Sequence, residues 1–113
     1  MEHPKEQAHH VQEALNNWVG SEITIYKEED GDIDRTAVLL QDTEIERINP
    51  IDDYILPFSL RLKGPGIVIA DEEQSRLPYQ TYEIPFEHIM ERHVQENEIS
   101  FKTNRAVYTI TKQ

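Results

Sequence analysis

The decisive stretch begins Glu22-Ile23-Thr24-Ile25-Tyr26 and resumes as Ile33-Asp34-Arg35-Thr36-Ala37-Val38-Leu39-Leu40 after Glu28-Glu29-Asp30-Gly31-Asp32. The first run alternates apolar and polar residues with a period of two, the signature of a half-buried strand. Asp30-Gly31 between two strand-like runs predicts a tight hairpin, because such turns need positive φ at their central residues. Composition agrees. Thirteen Ile and six Val outnumber seven Leu and five Ala, and β-branched side chains suit a pleated surface better than a helix.

Outward from this hairpin the reading is coarser. Residues 3–19 predict one amphipathic helix, with Pro4 in the first turn, Ala8, Val11, Leu15 and Trp18 or Val19 on one face, and Gly20 as the stop. Residues 41–55 read either as a bent continuation of the strand or as a loop around Asn49-Pro50. Leu56, Phe58, Leu60 and Leu62 alternate with polar residues, and Pro57 would then need an edge or a bulge. Gly64-Pro65-Gly66 predicts a turn before Ile67-Val68-Ile69-Ala70. Asp71 to Gln80 reads as a polar, mobile connection. Tyr82–Ile84 is a short strand, and Pro85 to Met90 predicts a strand end entering one helical or 3₁₀ turn. Ile99–Phe101 and Ala106–Ile110 flank Lys102-Thr103-Asn104-Arg105 as a terminal hairpin. The whole, residues 1–113, predicts a single mainly β domain. In it a helix precedes, over residues 21–110, about six strands in a bent antiparallel sheet or a small Sm/SH3-like barrel.

Within that order, Val19 to Tyr26 and the segment Ile84-Pro85-Phe86-Glu87-His88-Ile89 resemble Sm-like small barrels, and in particular the YolD-like proteins of bacteria. The resemblance spans residues 8–90 and implies a helix leading into a small barrel. YolD-like proteins are regarded as accessory factors near DNA-damage polymerases, and Sm-like proteins often form RNA-binding rings. The RNA-binding property is not carried over, because no residues here match the RNA contacts.

Eleven basic and twenty-two acidic residues leave a net charge of −11, which opposes generic duplex binding, where Lys and Arg must neutralise phosphates. Without cysteine there is no disulfide, thiolate metal site or cysteine nucleophile. The polar start and the lack of a long apolar run predict neither a secretory signal nor a membrane span, and hence a cytoplasmic protein. His9 and His10 are adjacent, and His88 and His93 are five apart. Neither spacing suits a zinc site. Asp30, Asp32 and Asp34 alternate as in a calcium loop, but Gly31 is misplaced and Gln41 stands where the closing glutamate belongs. No phosphate loop, nucleophile elbow or isolated carboxylate pair emerges. The chain therefore reads as a non-enzyme without cofactor or metal.

The predicted function is an interaction module that binds the basic surface of a protein partner. Its candidate contacts are the acidic residues Glu28, Glu29, Asp30 and Asp32 together with Tyr54, Tyr79 and Tyr82. The alternative is weak single-stranded nucleic-acid binding by the terminal hairpin, where Lys102 and Arg105 lie in a stretch free of acids and Phe101 and Tyr108 would stack on bases.

Overall fold

A computed structural model describes residues 3–47, 57–70 and 73–113. Helix α1 (Pro4–Asn16) precedes ten strands: β1 (Glu22–Glu29), β2 (Asp32–Leu39), β3 (Asp42–Arg47), β4 (Phe58–Lys63), β5 (Gly66–Ala70), β6 (Glu73–Arg76), β7 (Thr81–Phe86), β8 (Ile89–Val94), β9 (Glu98–Thr103) and β10 (Val107–Lys112). The mainly β, antiparallel class matches the sequence expectation, but the described residues form ten short strands where about six were expected. One sheet runs β6-β5-β2-β1-β10-β9-β8 and the other runs β3-β4-β7. Among the described residues, neither closes on itself through these ladders.

The extra strands arise because long strands bend from one sheet into the other. β2 continues into β3 at Leu40-Gln41, β4 into β5 at Gly64-Pro65, and β6 into β7 through a 3₁₀ turn at Pro78–Gln80. The three bends lie side by side. Leu39 N donates to Pro65 O at 3.0 Å, Gln41 N to Lys63 O at 2.8 Å, and Gly64 N to Gln80 O at 2.8 Å. Such sheet-switching corners are how two sheets meet at a steep angle around one core. The turn expected at Gly64-Pro65-Gly66 is thus a corner between the two sheets. The segment expected to be a mobile connection supplies β6 and the 3₁₀ turn. The helical turn expected after Pro85 is instead a bend between β7 and β8, where Asn104 Oδ1 accepts the amides of Glu87 (2.9 Å) and His88 (2.7 Å).

The β1–β2 hairpin follows its sequence signal. Asp30 (φ 51°) and Gly31 (φ 87°) both take positive φ, as the tight turn requires. Register pairs Ile23 with Val38, Ile25 with Thr36 and Lys27 with Asp34. On the other side of β1 the same residues face Lys112, Ile110 and Tyr108 of β10. The inner face of the large sheet therefore passes from buried isoleucines at one end to Lys27, Asp34 and the Tyr108 ring at the other.

α1 packs against β3, β4 and β8, so it bridges the edge of one sheet to the edge of the other. Ala8, Val11 and Leu15 are fully buried on its inner stripe. Burial of side chains of that size contributes about 1.5–3 kcal/mol for each leucine or valine. Gln7 Oε1 accepts Ile89 N at 2.9 Å, and Asn16 Oδ1 accepts the Thr43 hydroxyl at 2.6 Å. The helix N-terminus is capped by His3, whose Nδ1 accepts Lys5 N at 3.1 Å. Leu60, Leu62, Ile84, Phe86, Ile99 and Phe101 complete the core between the sheets.

Candidate interaction site

β7 is the outer strand of the three-stranded sheet, and among the described residues only β4 pairs with it. A cleft of about 720 Å³ follows this free edge. Its lining comes from both faces of β7: Tyr82 from the inner face, and Thr81 and Glu83 from the outer. Residues on one strand alternate between faces, so a cavity lined by both must wrap the strand's edge. Across the cleft stand Lys27, Asp34, Thr36 and Val68, from the inner face of the large sheet.

The backbone direction along this edge follows from two observations. Gly64 N donates to Gln80 O, which makes the next pair, Lys63 with Thr81, a non-hydrogen-bonded one. Counting on by twos, Glu83 and Pro85 share that state. Pro85 has no N–H to offer a ladder, so it fits a position whose backbone nitrogen points outward. Thr81 N is taken by Pro78 O in the 3₁₀ turn. Glu83 therefore presents both N–H and C=O to the open side.

The electrostatics of the cleft are mixed. Arg61 is held between Glu46 (2.8 Å) and Glu83 (2.9 Å), and Lys63 pairs with Glu44. The Lys63 ammonium keeps the Glu44 carboxyl below the usual carboxylate range. Lys27 Nζ lies 3.6 Å from Glu29, which Arg105 also approaches at 3.9 Å. The Tyr82 hydroxyl titrates well above an ordinary phenol, chiefly because it is buried, with further upward pushes from Tyr108 and Asp34. Burial and the nearby Glu29 push Tyr108 up to about 12 against the opposing pull of Arg105. Both phenols are thus neutral hydrogen-bonding groups in the physiological range.

Tyr79 stands at the corner between β6 and β7 and is 98% exposed. Its φ of 55° and the 50° of Gln80 put two successive non-glycine residues in the left-handed region. Such residues are uncommon and strained. The Thr81 hydroxyl donates to Tyr79 O at 3.1 Å and helps to hold the bend.

A family model for YmzB-like proteins matches residues 4–113. The chain belongs to the YmzB-like family. The "Uncharacterized protein YmzB" of Bacillus subtilis (strain 168) is 36% identical over 116 residues, covering 92% of this chain and 97% of its own length. No solved structure shows a significant match. The family is therefore a different one from the YolD-like and Sm-like proteins suggested by Ile84–Ile89. That segment is the end of β7, with Ile84 and Phe86 buried, leading into the bend before β8.

In this YmzB-like chain the predicted contact residues fall into two groups. Tyr79 and Tyr82 line the edge cleft, and Glu28, Glu29, Asp30 and Asp32 form the tip of the β1–β2 hairpin. Asp34 and Lys27, paired two positions in from that tip, join the groups across the cleft. Tyr54 lies outside the described residues. Sequence reading missed Arg61, Thr81 and Glu83 as site residues. Pro85 inside a period-two run was the available signal, since proline in a strand marks an edge.

The terminal hairpin is corrected more sharply. Phe101 and Tyr108 are buried, at 1% and 2% exposure, and stack on each other with centroids 5.3 Å apart. Their rings face the core and cannot receive bases in this fold. β10 pairs with β1, so Lys102 and Arg105 share a surface hollow with Glu28 and Asp30 instead of forming a basic patch. Among the described residues, no helix is long and apolar enough to cross a membrane.

Proposed function

We propose that this protein is a non-enzymatic, cytoplasmic interaction module that binds a basic protein partner at the end of the molecule where the β1–β2 hairpin meets the edge cleft. One observation supports the reading above others: the exposed Tyr79 and the half-buried Tyr82 border the same cleft as Asp34, at the root of an acidic hairpin tip. Tyrosine supplies contact area at low entropic cost, and an acidic surround steers cationic partners. The net charge of −11 acts in the same direction.

The test is titration with octa-arginine at two salt concentrations, followed by amide chemical shifts. Binding by this end requires shifts at the hairpin or cleft and a dissociation constant that rises more than about fivefold between about 50 and 300 mM salt. Glu28→Lys combined with Asp32→Lys should weaken it further. Salt-independent binding, or shifts confined to the far end around α1, refutes the reading.

A further inference from the structure

We infer that the free edge of β7 accepts an extended, basic segment of a partner as an added antiparallel or parallel strand. The inference rests on the proposed function above and specifies how that partner is held. Glu83 offers N–H and C=O outward, the paired donor and acceptor that an incoming strand needs. The cleft along the strand leaves room for the side chains that such a segment would direct to alternate faces.

Charge selects the occupant. On the inner side of the cleft is the exposed Asp34, whose ladder neighbour Lys27 leans toward Glu29. On the outer side is the Glu83 carboxylate, its side chain 53% exposed although it binds Arg61. A lysine or arginine on either face of an added strand can thus reach an acid, Asp34 inside or Glu83 outside, beside the cations Lys27 and Arg61 that already pair with Glu29 and with Glu46 and Glu83. Tyr79, fully exposed at the start of the edge, presents its ring to a cation or to the aliphatic stem behind it. A second copy of this chain suits the edge poorly, since it would bring Glu83 and Asp34 of two molecules together at a net charge of −11 each.

The probe is a capped hexapeptide alternating arginine and valine, with a twin N-methylated at alternate residues so that one edge cannot pair. Proton–nitrogen spectra should show the Glu83 amide shifting and gaining exchange protection, with the N-methylated twin at least about tenfold weaker. Glu83→Pro removes the outward N–H without breaking a bond to β4, whereas Glu83→Gln keeps it. The proline variant should lose binding by about tenfold relative to the glutamine variant. Tyr79→Gly keeps the left-handed backbone while deleting the ring, and should weaken binding about threefold or more with the fold intact.

Equal binding of the N-methylated twin overturns the edge mode, and so does full binding by Glu83→Pro. If Glu83→Pro does not fold, the twin peptide on the unaltered protein still decides. Shifts confined to Asp30–Asp32 overturn the edge mode while sparing the acidic-partner reading, and absence of any binding at low salt removes both. A dimer in sedimentation that protects Glu83 without peptide assigns the edge to self-association and overturns the inference.

Discussion

Gly64→Ala tests the corner on which both sheets depend. Gly64 sits where β4 passes into β5, with φ at +149°, a conformation that L side chains rarely adopt. An added Cβ would overlap the Leu39 carbonyl oxygen and lie 3.0 Å from its carbon and 3.4 Å from Gln41 N. All three are backbone atoms of the neighbouring β2–β3 corner, so no side chain can swing aside. Backbone strain costs about 1–3 kcal/mol. Displacing a packed neighbour costs about 1–3 kcal/mol more. The stiffer unfolded chain returns about 0.4–1 kcal/mol. The net loss is about 2–5 kcal/mol, a large share of the total for a domain of this size. Gly31→Ala is the matched control: its φ is +87°, but nothing lies within 4 Å of the added carbon. It should lose only about 1 kcal/mol, from strain alone. Urea unfolding followed by the fluorescence of Trp18, the single and buried tryptophan, measures both. Equal losses in the two variants would refute the claim that close packing of the corner, rather than φ alone, demands glycine.

Three further outcomes follow from the same geometry. Leu15→Ala, at a fully buried position where α1 bridges the two sheets, should cost about 2–5 kcal/mol by urea unfolding, and a loss below about 1 kcal/mol would mean the helix is not part of the core. Asn104→Ala removes the acceptor shared by the Glu87 and His88 amides; it should cost about 1–2 kcal/mol and speed hydrogen exchange at those two amides, while Asn104→Asp keeps most of the protection. Tyr82 and Tyr108 titrate above an unfolded phenol, so the native state holds their protons more tightly. The Tyr108 contribution is complete below about pH 10 and is lost as pH rises through its value of about 12, whereas the Tyr82 loss extends to still higher pH. Tyr108→Phe should flatten that alkaline fall in melting temperature, and an unchanged slope would contradict the assignment.

The parts of this fold legible in the sequence are those fixed by local chemistry. Asp30-Gly31 demanded a tight turn and received one, and the apolar stripe of Ala8, Val11 and Leu15 became the buried face of α1. The corners were not legible, because a strand that bends between sheets keeps its alternation on both sides of the bend. Gly64-Pro65 reads as a turn by composition, and only the bonds to Leu39 and Gln80 reveal a corner. The terminal hairpin shows the opposite failure. Its strands were evident, but which face of Phe101 and Tyr108 meets the core depends on pairing with β1, a partner near the opposite end of the chain. Of the site, the acidic tip and Tyr79 stood out by composition. The open edge did not, since it is a property of sheet order.

That open edge carries a tension whose resolution bears on specificity. An unpaired strand edge is a template for aggregation, and proteins commonly blunt such edges with proline, charge and short strands. β7 has Pro85, which removes one donor, and Glu83, which places a carboxylate beside the outward pair of backbone groups. The strand before it, β6, is four residues long. These devices repel another copy of the same acidic chain. They do not repel a cationic strand, for which Glu83 and Asp34 change from obstacles to contacts. If the edge binds the proposed basic partner, discrimination between self and partner needs no further element, because the repulsive term against one is the attractive term for the other. Glu83→Lys exposes this directly. It should abolish binding of the arginine peptide and, by removing like-charge repulsion at the edge, permit pairing between variant and unaltered chains in a mixture. Mixed dimers seen by sedimentation at low salt and dissolved at high salt are the expected result, and a mixture that stays monomeric at low salt would show that charge at this position does not control access to the edge.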